Sequence, residues 1–236
     1  FADHSMIPTY YLSEVTRQQV TVALSGDGGD ELFMGYPFLK EPAIFGLYKK
    51  VPRQIRNLGL WALLKSPIKG DFIRMAHHAY EKNYGDQSPL ERYIMRVTLF
   101  TPQNLKRIYG DEFLKKHNPT DTYDYMRNWL NISECPDTLH AIDYATIKSY
   151  LEEDILVKVD KMSMAVSLET RCPLLDHRLM TILEQIPSEM KMRGGDTKYI
   201  LKKMVIKKNL IPREIVYRKK RGFGAPVENW LKGEWK

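Results

Sequence analysis

Three carboxylates and three glycines crowd one short stretch, Ser25-Gly26-Asp27-Gly28-Gly29-Asp30-Glu31. Glycines at that density let backbone approach a ligand closely and allow positive φ. A helix starting near Gly29 would turn its free N–H groups into the same pocket and favour an anion. Asp27, Asp30 and Glu31 suit a phosphate only if a metal such as Mg²⁺ bridges them, because hard cations take oxygen ligands. The plainer reading is an acidic turn capping a helix; a strand–loop–helix setting with three acids favours the ligand site.

A second candidate is Lys198, in Gly195-Asp196-Thr197-Lys198-Tyr199-Ile200-Leu201-Lys202. A lysine as the second or third residue of a helix opened by a glycine pair points toward the phosphate-binding end, as a point charge for phosphate oxygens. A solvated lysine on a basic helix is the commoner case. The third segment runs from Leu151 to Asp176 and mixes charge densely with apolar residues. Asp154 and Lys158 are spaced i,i+4, and Glu169, Arg171 and Asp176 crowd around Pro173. These charges read either as a structural ion-pair network or as the wall of a polar site. The fourth segment, Arg218 to Pro226 followed by Trp230-Leu231, joins four cations, two glycines and a phenylalanine. It suits RNA backbone and base stacking, or closure over a nucleotide tail.

These residues need elements to hold them. Thr9–Gln19 is predicted helical, with Tyr11, Leu12 and Val15 on one face. Val20–Leu24 is a short β-branched, apolar run ending at Ser25-Gly26, predicted as a buried strand entering the loop. No other strand stands out, so its sheet neighbours are expected outside this sequence. From Asp30 onward, apolar residues recur at helical spacing between prolines. Ser88-Pro89 and Thr101-Pro102 look like helix caps followed by proline in the first turn. Thr138–Glu153 and Asp154–Leu168 are predicted as two helices or one kinked helix, and Thr197–Asn209 as a further helix. The expected fold class is mainly α with a remnant parallel α/β edge.

The 236 residues, 43% hydrophobic and 28% charged, suit one large globular domain or two small ones. No apolar run approaches a membrane span; Leu58–Leu64 is short and flanked by Arg or Lys. The start carries no signal-peptide pattern. Cys135 and Cys172 lie in no metal or redox spacing, which suits incidental thiols in a reducing cytoplasm. A net charge of +7 fits nucleic acid, a solvated face or a polyanion such as ATP.

Taken together, the segments resemble the asparagine synthase family in its synthetase domain, which is similar in β-lactam synthetases. Ser25–Glu31 followed by Leu32-Phe33-Met34-Gly35-Tyr36 matches the family's strand-end motif. Lys158 to Asp176 matches its long signature, with Lys161 in place of the usual Arg. Lys198–Lys202 and Lys220–Leu231 match the two closing motifs, while the stretch from about Pro42 to Thr138 is weakly specific.

The resemblance implies an adenine nucleotide α-hydrolase-like domain, with residues 1–40 in its nucleotide-binding α/β layer and 41–236 in its helical part. It implies that ATP and aspartate give β-aspartyl-AMP and pyrophosphate, and that ammonia from glutamine then releases asparagine and AMP. Ser25, Gly26, Asp27 and Gly28 would face ATP, and Asp30 would hold Mg²⁺. Asp27 would take a proton from ammonia, one methylene shorter than the family's frequent Glu. Lys198 would stabilise charge on phosphorus, and Asp154 would be a substrate-side or proton-relay carboxylate. A homo-oligomer is compatible with this reading. The alternatives are a non-catalytic helical RNA-binding or scaffolding module, and a ligase acting on another carboxylic acid. The family's pyrophosphate loop and glutaminase domain are expected to precede residue 1. The chain by itself is therefore expected to show no micromolar binding of Mg-ATP in calorimetry; a clear micromolar isotherm would count against the need for that loop.

Overall fold

The computed structural model describes residues 3–40, 50–52, 54–55, 58–59, 61, 87–98, 100, 102–117, 123–130, 135–219 and 222–233. Thr101, Lys220, Arg221 and most of Leu58–Leu64 lie outside them. The chain divides into two units, Phe1–Tyr36 with Asp143–Lys236, and Pro37–Ile142.

The first unit opens with helix α1, Met6–Arg17. Thr9, Ser13 and Thr16 each turn a hydroxyl back to the carbonyl four residues earlier, at 2.8, 2.8 and 2.7 Å. Such local bonding satisfies polar side chains within a helix. Strand β1, Val22–Leu24, follows, shorter than the predicted run and exposed rather than buried, with Val22 and Leu24 at 38% and 73% exposure. Its neighbour lies inside the chain, contrary to expectation: β2, Glu169–Arg171, pairs with it in parallel, Ala23 opposite Thr170. Glu-Thr-Arg carries no apolar alternation, which is why composition hid it.

The helix predicted as one or two pieces is continuous in the described chain. It runs as α-helix from Thr138 to Thr146, as π-helix from Ile147 to Ile155, and as α-helix again from Leu156 to Met164. A π segment is rare and often marks a functional site. After β2 come helices at His177–Glu184, Ser188–Lys191, Tyr199–Lys207, Arg213–Val216 and Val227–Lys232. The core of this unit is Leu32, Phe33 and Leu183, with Ile147, Leu174 and Leu201 packed against them.

The second unit contains Pro89–Val97, Pro102–Ile108, Asp111–His117 and Asp124–Leu130. Ser88 caps the first as predicted, its hydroxyl accepting from the Glu91 N–H at 3.1 Å. Tyr93, Ile94, Met126 and Leu130 are buried there, and Arg127 pairs with Glu91 at 3.2 Å.

One long-range polar tie fastens the start of the chain. The Lys158 ammonium donates to Asp3 Oδ2 at 2.6 Å and to Ser5 Oγ at 2.8 Å. Asp154, spaced i,i+4 from Lys158, is not the partner in this contact. Burial pushes the Asp3 carboxyl up, but the Lys158 and Ser5 hydrogen bonds outweigh it and bring its pKa to about 2. A depressed carboxylate pKa gives stability that is complete above the ordinary value and lost as pH falls through the folded value. Asp3→Asn should therefore be less stable than wild type at neutral pH, the difference vanishing as pH falls toward 2, read from denaturant midpoints across pH. In the same assay Leu183→Ala, in the buried cluster, should cost about 2–5 kcal/mol.

Candidate active site

The carboxyl end of β1 runs into Ser25-Gly26-Asp27, and the end of β2 runs into Cys172. In open α/β sheets ligands bind beyond the carboxyl ends of parallel strands. The Ser25 hydroxyl donates to Asp27 Oδ2 at 2.7 Å and lies 3.2 Å from the Cys172 sulfur. Cys172, read as incidental in sequence, thus lies against the loop's first side chain. A Cβ on Gly26 would meet nothing within 4 Å, so the loop faces open space there. Gly28 has φ +84°, which a β-carbon resists, and a side chain there would run into Leu175.

Residues 27–34 form successive turns, not the helix expected near Gly29. Residues 27–34 therefore offer an anion no helix N-terminus. What the turns do is bring Asp30 to Lys198, whose ammonium lies 2.9 Å from Asp30 Oδ1. Lys198 directly precedes its helix, Tyr199–Lys207, rather than standing second or third within it, and takes a left-handed conformation, φ 54°, with its N–H on the Phe33 carbonyl at 3.1 Å. Gly35 is the second requirement: a side chain there would collide with both Asp30 and Lys198.

A cleft of about 870 Å³ opens beside the loop, lined among others by Ser25, Asp27, Asp30, Tyr36, Tyr150 and Lys158. The tied Asp3 and Ser5, the hydroxyl face of α1 and Phe223 also border it. Asp154 and Lys198 are not among its lining residues. Burial, followed by the charge of Asp3, pushes the Asp154 carboxyl up, and Lys158 opposes it. Glu31 is buried at 2% exposure and accepts a hydrogen bond from the Tyr36 hydroxyl. Burial raises its pKa despite that bond, and the Tyr36 phenol is raised by its own burial and by Glu31.

Ser25, Gly26, Asp27 and Asp30 thus share one cleft, with Lys198 joined to it through Asp30. Sequence reasoning missed Asp3, Tyr36 and Tyr150 as lining residues. Tyr36 lay inside a quoted motif, whereas the position of Tyr150 depends on the π turn. Among the described residues, no group of three or more His, Cys, Asp or Glu side chains could hold a metal ion. A cation at Asp30 would need ligand oxygens for the rest of its coordination. Among those residues, too, no helix is long and apolar enough to cross a membrane.

The asparagine synthase family model matches residues 1–236. An asparagine synthetase [glutamine-hydrolyzing] 1 from Bacillus subtilis is 33% identical over 99% of this chain and 35% of its own length. A putative asparagine synthetase from Mycobacterium tuberculosis is 27% identical over the same shares. Amidase chyE from Penicillium rubens is 27% identical over 98% of this chain and 37% of its own. No solved structure matches the chain. The chain spans about a third of the length of these curated relatives. The match over its full length, together with the strand-end loop, places the chain in the asparagine synthase family.

Proposed function

We propose that this chain is the part of a longer ATP-dependent synthetase that activates aspartate as β-aspartyl-AMP and passes the acyl group to ammonia derived from glutamine. The observation that carries the reading is the Asp30–Lys198 pair, held beside the Gly-rich loop by turns that leave no room for a side chain at Gly35. A carboxylate and an ammonium in contact are a pair that a Mg²⁺–phosphate ligand can enter. Asp30 would hold the metal, and phosphate oxygens would complete its shell, as Mg²⁺ commonly binds through one or two carboxylates plus phosphates. When bound, Mg²⁺ neutralises phosphate charge.

The chain's own residues supply the rest. Freed from Asp30, the Lys198 ammonium offsets negative charge developing on phosphorus and on the departing pyrophosphate. Ser25 and Gly26 form the wall that the AMP portion approaches, since Gly26 faces open space, while Gly28, outside the lining and turned toward Leu175, shapes the loop through its positive φ. Asp27, oriented by the Ser25 hydroxyl at 2.7 Å, accepts a proton as ammonia attacks the acyl carbon. Asp154 stands outside the lining, and as a substrate-side or proton-relay carboxylate it would act from there, coupled electrostatically to Asp3 and Lys158. The fold would be that of an adenine nucleotide α-hydrolase-like domain acting in the cytoplasm.

The test is ATP–pyrophosphate exchange by the full-length protein across a panel of carboxylic acids, with aspartate expected to support it. Exchange only with a β-lactam precursor or a sugar acid would replace aspartate as the acceptor. Lys198→Ala should lower exchange by about 10²-fold or more, and Lys198→Arg should restore little of it. Asp27→Asn should keep exchange and lose amide formation by about 10²–10⁴-fold. Undiminished exchange in Lys198→Ala, or undiminished amide formation in Asp27→Asn, removes that residue from the mechanism.

A further inference from the structure

Tyr150 stands on the π-helical segment Ile147–Ile155 and lines the cleft. Its ring meets the Tyr36 ring edge to face, with centroids 6.0 Å apart and planes at 62°. The Tyr36 hydroxyl is in turn committed to Glu31, which is buried. Among the described residues the Tyr150 hydroxyl has no hydrogen-bond partner, and the residue is exposed, at 42%. A regular α-helix would rotate residue 150 by a different angle relative to Thr146 and Leu156; the wider turn sets this ring against Tyr36.

We propose that Tyr150 contacts the acceptor acid, its phenolic hydroxyl donating to a carboxylate oxygen, and that Glu31 and Tyr36 are positioning residues that fix its ring. This inference rests on the synthetase reading given above. A phenol suits the role because it is a neutral donor on a rigid ring with few rotatable bonds. The field around it keeps it neutral. Burial raises the Tyr150 pKa first, and the charges of Asp154, Asp3, Glu31 and Asp30 add to it. The same carboxylates would repel the carboxylates of the acceptor, so a neutral donor on this wall suits an acid substrate. The nearby cations, Lys158 and Lys198, are each held by an aspartate, at 2.6 and 2.9 Å.

The experiment measures steady-state ATP–pyrophosphate exchange by the full-length protein, varying aspartate and ATP separately. Tyr150→Phe removes only the oxygen and keeps the ring pair. It should raise the KM for aspartate about tenfold, the scale of one hydrogen bond to a charged group, and leave the KM for ATP within about twofold. Tyr36→Phe should raise the aspartate KM less. Added to Tyr150→Phe, it should contribute little more, because Tyr36 acts through that ring. Thermal unfolding of each variant separates misfolding from lost contact, and aspartate binding by calorimetry with a non-hydrolysable ATP analogue repeats the comparison without turnover. An unchanged aspartate KM in Tyr150→Phe overturns the contact, as does an equal rise in both KM values. Fully multiplicative effects of the two substitutions overturn the positioning role. Absence of exchange by the wild-type protein with every acid overturns the synthetase reading and this inference with it.

Discussion

The parallel pairing of Val22–Leu24 with Glu169–Arg171 is the contact on which the candidate site depends. It is three rungs long, extended at its ends by the Ser25 N–H on the Arg171 carbonyl at 2.8 Å and the Glu169 N–H on the Thr21 carbonyl at 3.0 Å. Those bonds set Ser25 and Cys172 side by side although they are 147 residues apart. The entropy of closing a loop grows only with the logarithm of its length. A whole second unit can therefore be strung between the two strands at little extra cost. α1 enters the first strand and the helix ending at Met164 enters the second, so their packing supports the same short ladder.

Two lysine–aspartate pairs border the cleft and differ in kind. Lys158 and Asp3 are largely enclosed, at 12% and 18% side-chain exposure, and share Ser5 as a third member. Such a pair is costly to break, because removing one partner leaves a desolvated charge. Lys198 and Asp30 are more open, at 29% and 26%, beside turns rich in glycine. Water and ligand oxygens can compete for that pair more readily. The first pair reads as a fastening of the chain's start, and the second as the more accessible of the two.

Much of this was legible in the residues. The run Val20–Leu24 stood out through β-branching and the glycines after it, and Ser25, Asp27 and Asp30 followed from its end. Lys198 was legible as a cation at a helix entrance. β2 was not, because Glu-Thr-Arg has strand geometry imposed by its partner rather than by its own propensity. The π segment was hidden because three-to-four spacing of apolar residues continues through Leu151 and Ile155. The turns at 27–34 replaced the expected helix where Gly28 takes positive φ, and Met34 does so as well. Asp3 and Lys158 could not be joined by any local rule, being 155 residues apart.

Lys198 also holds an unfavourable backbone conformation. Its φ of 54° lies in the left-handed region, where a β-carbon costs roughly 1–2 kcal/mol relative to the right-handed helix. Its N–H on Phe33 and its carbonyl, which accepts from the Lys202 N–H at 2.9 Å, keep it there. Glycine would relax the same backbone and delete the ammonium. Selection for thermal tolerance alone would thus be drawn toward removing the residue proposed to meet the phosphate. The position marks a local conflict between robustness and activity, of the kind that limits how far a stabilised variant can depart from its parent.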